Sequence, residues 1–101
     1  MKKILLMCNA GMSTSMLVSK MREAAEAQGY DCTIEACPVS DLNAAAGADV
    51  ILLGPQVRFQ LSKVQKAYPD IPVDAISPTD YGMVKGDNVL NAARKLMKET
   101  I

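Results

Sequence analysis

Lys3-Ile4-Leu5-Leu6-Met7-Cys8-Asn9-Ala10-Gly11-Met12-Ser13-Thr14-Ser15 is the stretch on which the reading of this chain turns. Lys3 to Met7 is a nearly unbroken apolar run, and Asn9, Ala10 and Gly11 end it at once, which fits a short strand buried on both faces. Beyond it, Leu17, Val18, Met21, Ala24 and Ala25 recur at helical spacing, while Lys20, Arg22, Glu23 and Glu26 are left for solvent. A helix over 14–28 follows, closed by Gly29. A buried strand, a small-residue turn and an amphipathic helix make the opening unit of a parallel α/β sheet.

The same alternation continues. Cys32 to Cys37 reads as a second strand ending at Pro38, and Ser40 can cap a brief helix over 41–46. Val50 to Leu53 is a third strand halted by Gly54-Pro55, and the helix after it sets Val57, Leu61, Val64 and Tyr68 on one stripe before Pro69. Val73 to Ile76 is a fourth strand, 77–86 a loop, and Asp87 can cap a last helix burying Val89, Leu90, Ala93, Leu96 and Met97. The expectation is one domain over 1–101: a four-stranded parallel sheet flanked by helices on both faces, a three-layer sandwich. In open sheets of this kind ligands lie beyond the carboxyl ends of the strands. The turns after strands one, three and four, at 8–15, 54–58 and 77–82, are expected to meet there.

Composition narrows the function. The chain has 101 residues, half of them hydrophobic, with eleven basic and eleven acidic side chains. That balance suits a folded domain and offers no field for nucleic acid or an anionic membrane. The apolar run after Lys2-Lys3 is shorter than the roughly 7–15 residues of an export signal, and none approaches the ~20 needed to span a bilayer. A cytoplasmic location without membrane insertion is expected. Three cysteines and no histidine argue against a disulfide framework, and the spacing of Cys32 and Cys37 fits no common zinc site. Both of those cysteines read as buried strand residues without a chemical role, and no metal or cofactor is expected.

Cys8 is the candidate nucleophile. By itself a cysteine closing a buried strand is most often a small core residue. Here, however, it is followed by Gly11, which permits a tight turn, and by the hydroxyls of Ser13, Thr14 and Ser15 at a helix start. Free amides at such a start form an anion cradle, and its positive end favours thiolate over thiol. The residues from Asn9 to Ser15 (Asn9, Ala10, Gly11, Met12, Ser13, Thr14 and Ser15) are therefore the candidate phosphate-binding set. The sixth residue after Cys8 is Thr14, where a cysteine phosphatase of the C-x5-R type needs arginine to stabilise its transition state. Slow hydrolysis and storage of a phosphoryl group fit a relay better, with a small phosphatase or arsenate-reductase-like enzyme as the alternative and a structural flavodoxin-like domain as a third. No Walker or dinucleotide motif is present.

Cys8-Asn9-Ala10-Gly11-Met12-Ser13-Thr14-Ser15, Leu53-Gly54-Pro55-Gln56 and Tyr81-Gly82, in this order and over essentially the whole chain, resemble the IIB subunit of the lactose/cellobiose/chitobiose class of the phosphoenolpyruvate-dependent sugar phosphotransferase system. The resemblance implies a flavodoxin-like fold related in layout to small tyrosine phosphatases, with Cys8 as phosphocysteine. It implies a protein-phosphohistidine–sugar phosphotransferase. The cysteine would take its phosphoryl group from a IIA protein and pass it to a sugar, a β-disaccharide such as cellobiose or chitobiose, carried by a membrane IIC protein. Gln56 and Tyr81 fall on loops expected to border the site. Met12 and Met16 are candidates for an apolar docking rim, and a relay that docks two partners in turn is expected to be a monomer.

Overall fold

The structure is a computed structural model, and it describes residues 2–8 and 12–97, with the side chains of Met12 and Ser13 outside the description. Four strands, β1 (Lys2–Cys8), β2 (Cys32–Pro38), β3 (Val50–Leu53) and β4 (Val73–Ala75), form one parallel sheet in the order β2-β1-β3-β4. The helices are α1 (Met12–Gln28), α2 (Leu61–Ala67), α3 (Pro78–Gly82) and α4 (Gly86–Leu96), with 3-10 segments at Leu42–Ala45 and Pro55–Gln60.

Alternation along the two central strands divides the core. Ile4, Leu6, Val50 and Leu52 join Leu17, Val18 and Met21 of α1 and Val89, Leu90 and Ala93 of α4 on one face. Leu5, Met7, Ile51 and Leu53 join Ala45, Val57 and Val64 on the other. Successive side chains of a strand point to opposite faces, so an apolar run serves two cores only because helices cover both. The expected three-layer sandwich is present.

Its details differ from the sequence-based expectation in several places. Strand β2 lies at the sheet edge, and only Ile34 among its residues is buried; Cys32 and Cys37 are half-buried rather than core residues. The segment expected as a helix over 41–46 is one 3-10 turn preceded by Asp41, and neither Ser40 nor Asp41 caps it. The helix after β3 opens with a 3-10 stretch before α2, because Gly54-Pro55 feeds a kink at Val57 (φ −117°). The stripe still holds: Val57 and Val64 are buried, with Leu61 and Tyr68 packed against them. A further helix, α3, occupies part of the expected 77–86 loop, started by Ser77-Pro78 with proline in the first turn, where its missing N–H is harmless. Finally, Lys85, not Asp87, stands at the N-cap of α4, and the Asp87 carboxylate accepts from the Asn88 N–H. Gly29 closes α1 as expected, at φ 64°, with the Tyr30 N–H donating to the Ala25 carbonyl at 2.9 Å.

Candidate functional site

Cys8 is the last residue of β1, the strand flanked on both sides, and it is buried. By strand alternation it lies on the same side as Ile4 and Leu6, the side covered by α1. That helix begins at Met12, two residues earlier than the periodicity predicts, so 12–15 are its first turn rather than loop. The amides of a first turn have no partners within the helix, and here they are supplied next to the strand end that carries the sulfur. Asn9, Ala10 and Gly11 lie outside the described residues. Ser15 is exposed.

Thr14 decides the geometry. It is 3% exposed, and its Oγ1 donates to Cys8 Sγ at 3.0 Å. The same oxygen is 2.8 Å from the Tyr81 hydroxyl. A buried hydroxyl left unpaired would cost roughly 1–3 kcal/mol; this one is bonded on both sides. Tyr81 reaches it from α3, beyond β4, with its ring in the core face shared by α1 and α4.

Gly54, at the end of β3, completes the meeting point. A Cβ built there would lie 3.1 Å from Gln56 Oε1, 3.3 Å from Cys8 Cβ and 3.6 Å from Tyr81 Cε2. Its φ of −62° is open to any residue, so it is the close approach of three neighbours that favours glycine. The structure thus brings together Cys8, Thr14, Gln56 and Tyr81 from the ends of β1, β3 and β4, as the switch-point argument predicts. Sequence reasoning passed over Gly54 as a strand stop; its signal was a small residue directly preceding a loop assigned to the site.

Three large apolar side chains stand exposed: Met16 (56%), Phe59 (78%) and Met83 (63%). Each belongs to a segment leaving the carboxyl end of β1, β3 or β4. Met16 therefore does not fill the core. Phe59 and Met83 were not foreseen, although Phe59, the single phenylalanine, falls off the Val57/Leu61/Val64/Tyr68 stripe. Among the described residues no cluster of acidic, cysteine or histidine side chains could hold a metal ion. Nor is any described helix long and apolar enough to cross a membrane.

Over residues 3–92 the sequence matches the family described as PTS system, Lactose/Cellobiose specific IIB subunit. The chain belongs to that family. It is 49% identical to the PTS system galactose-specific EIIB component of Lactococcus lactis subsp. cremoris (strain MG1363), over 95% of this chain and 96% of that protein. Equal identity and coverage relate it to the cellobiose-specific EIIB component of Lactococcus lactis subsp. lactis (strain IL1403). The oligo-beta-mannoside-specific EIIB component of Bacillus subtilis (strain 168) is 41% identical, over 96% of this chain and 97% of its own. Among solved structures, the cellobiose-specific IIB component from Borrelia burgdorferi superposes with a TM-score of 0.79 at 38% identity, covering 96% of this chain and 92% of that one. The lactose-specific IIB domain from Streptococcus pneumoniae gives 0.82 at 17% identity, over 93% and 95%, a likeness of fold. As a IIB component the chain is a phosphotransferase domain of a sugar-transport system, which favours the relay over the phosphatase alternative, and its partners are the IIA and IIC components of that system.

Proposed function

We propose that Cys8 is the residue on which this IIB component carries its phosphoryl group, taken from a phosphohistidine of the IIA protein and given to a sugar held by the membrane IIC protein. The observation that carries the reading is the sulfur at the end of β1, bonded by the buried Thr14 hydroxyl and adjacent to the first turn of α1. In the first step a sulfur lone pair forms the S–P bond in line as the N–P bond breaks, the electron pair returning to the imidazole. In the second a sugar hydroxyl oxygen forms the O–P bond as the S–P bond breaks, the electron pair returning to sulfur as thiolate. The hydroxyl proton passes to a base of the IIC protein that holds the sugar. Such transition states are loose, so positioning and charge stabilisation by helix-start amides do most of the catalysis. No arginine occurs between Cys8 and Ser15, and the chain has no histidine to act as acid or base. A phosphoryl group there is bound by neutral donors and is exposed to little hydrolytic catalysis.

Met16, Phe59 and Met83 form the apolar ground on which IIA and then IIC dock, at the cytoplasmic side of the membrane; flexible methionines suit a surface that fits two partners. The sugar is of the β-linked class. Relatives named for galactose, cellobiose and oligo-beta-mannosides all align with this chain nearly end to end, consistent with a sugar held mainly by the transporter. The test is intact-mass and peptide mass spectrometry after incubation with phosphorylated IIA. One persistent phosphoryl group on Cys8, lost in Cys8→Ser, is expected. Label on another side chain, or rapid release of free phosphate, would overturn the assignment.

A further inference from the structure

We propose that Tyr81 is a positioning residue for this transfer, acting through Thr14: its hydroxyl proton goes to the threonine oxygen and so directs the threonine proton onto the Cys8 sulfur, the arrangement in which that sulfur can attack. The proposal rests on Cys8 being the nucleophile and deepens that reading.

The argument is one of counting protons. A threonine hydroxyl has one proton and two lone pairs, and that of Thr14 sits between Cys8 Sγ at 3.0 Å and the Tyr81 oxygen at 2.8 Å. Two polarities satisfy this buried chain. With a thiol, S–H donates to Thr14 and Thr14 donates to Tyr81. With a thiolate the sulfur only accepts, so the threonine proton must go to sulfur, and Tyr81 must donate to the threonine oxygen. The tyrosine proton therefore belongs to the reactive state. In a low-dielectric site each bond of such a chain strengthens the next. The chain has no histidine, so the usual imidazole partner of a reactive cysteine is absent and hydroxyls and amides are left to hold the charge.

The surroundings hold both ends of the chain in place. The turn after α3 passes through Val84 at φ 53°, a left-handed conformation that a β-branched residue adopts only under constraint. It is tied by the Lys85 N–H donating to the Asp80 carbonyl at 2.8 Å and the Met83 N–H to the Thr79 carbonyl at 3.0 Å. Two residues on, Gly86 lies so close to the backbone of Lys20 and Met21 that a Cβ would overlap it. The helix bearing Thr14 and the turn that follows Tyr81 are thereby fixed to one another.

The rate of Cys8 alkylation by iodoacetamide at pH 7, resolved from Cys32 and Cys37 by peptide mass spectrometry, reads the nucleophilicity of the sulfur without any phosphoryl donor. Tyr81→Phe is expected to slow it roughly 3- to 10-fold, the loss of one hydrogen bond. Thr14→Val should slow it at least as much, and Thr14→Ser should keep the native rate. The double variant Thr14→Val/Tyr81→Phe should be no slower than Thr14→Val, because the tyrosine acts only through the threonine. A native rate in Tyr81→Phe, or multiplying effects in the double variant, would overturn the proposal. In the native protein, blocking Cys8 should move the Tyr81 Cζ resonance, and an unmoved resonance counts against it equally. Phosphorylation elsewhere than Cys8 would sink the carrier assignment while leaving this ordering of alkylation rates intact, so the two failures are separable.

Discussion

The two faces of the sheet are built to different standards. On one, the 17-residue α1 and 11-residue α4 cross at backbone contact through Gly86, and their far ends are joined by Arg94, whose Nη1 donates to Gln28 Oε1 at 2.8 Å while the guanidinium stacks 4.1 Å over the Tyr30 ring. On the other, the cover is two 3-10 segments and the seven-residue α2. Short 3-10 turns have poorer hydrogen-bond geometry than an α-helix. The thiol–hydroxyl chain lies on the first face, where Cys8, Thr14 and Tyr81 meet. With Cys8 as the proposed nucleophile, bonds near 3 Å lie on the face covered by the two longer helices, and the other face supplies the exposed Phe59.

Equal deletions on the two faces give the largest contrast. Leu90 is fully buried in α4, whereas Leu42 is half-buried against the other core. Leu90→Ala should destabilise by about 2–5 kcal/mol, as fully buried leucines do. Leu42→Ala should lose about 1 kcal/mol, from its smaller buried area. Urea midpoints would show it, and equal losses would erase the distinction between the faces. Next in size is Gly86→Ala. Its Cβ would fall 2.6 Å from the Met21 nitrogen, so α1 and α4 must separate, at about 1–3 kcal/mol. An unchanged midpoint would mean that the helices are not in backbone contact. If they do separate, Cys8 alkylation should slow as well, since the Thr14–Tyr81 bond joins α1 to α3, the helix that leads into α4.

Much of this was legible beforehand, and unevenly for the same reason. The strands β1 and β3 and the helices α1 and α4 were read correctly because each carries a full period of apolar residues that a core needs, Ile4 to Met7 and Val89 to Ala93 being the clearest. The second face was read less well. The four residues Leu42–Ala45 carry too few side chains to display a period, and propensity cannot separate a 3-10 turn from a short α-helix. Cys8 and the hydroxyl-rich turn stood out because sulfur followed by small polar residues is an odd way to leave a buried strand. The pairing of Thr14 with Tyr81 was invisible: 67 residues separate them, and only the sheet order brings α3 over the start of α1. Gln56 and Tyr81 could be placed on the right loops, but not at their contacts.

The smallest effect concerns the thiol that faces the other core. Cys37 pairs in register with Met7, so it shares that residue's face and packs against the second core, away from Cys8. Burial, then the nearby Asp41 carboxylate and Cys8 with a smaller push from Glu35, raises its pKa above the ordinary thiol value, against a lowering by Lys3. A thiol whose folded pKa exceeds its unfolded one binds its proton more tightly in the native chain. Its contribution to stability is therefore complete below the unfolded thiol pKa and is lost as pH rises through the folded one. Other groups titrate in the same range, so the quantity to follow is the difference in urea midpoint between native protein and Cys37→Ala from pH 7 to pH 10. The native protein should lose stability more steeply over that interval. Parallel curves would mean that this thiol is as well solvated as in the unfolded chain. At neutral pH the same cause keeps Cys37 protonated and slow toward iodoacetamide, so the two cysteines on neighbouring strand ends should differ in reactivity because they look into different faces.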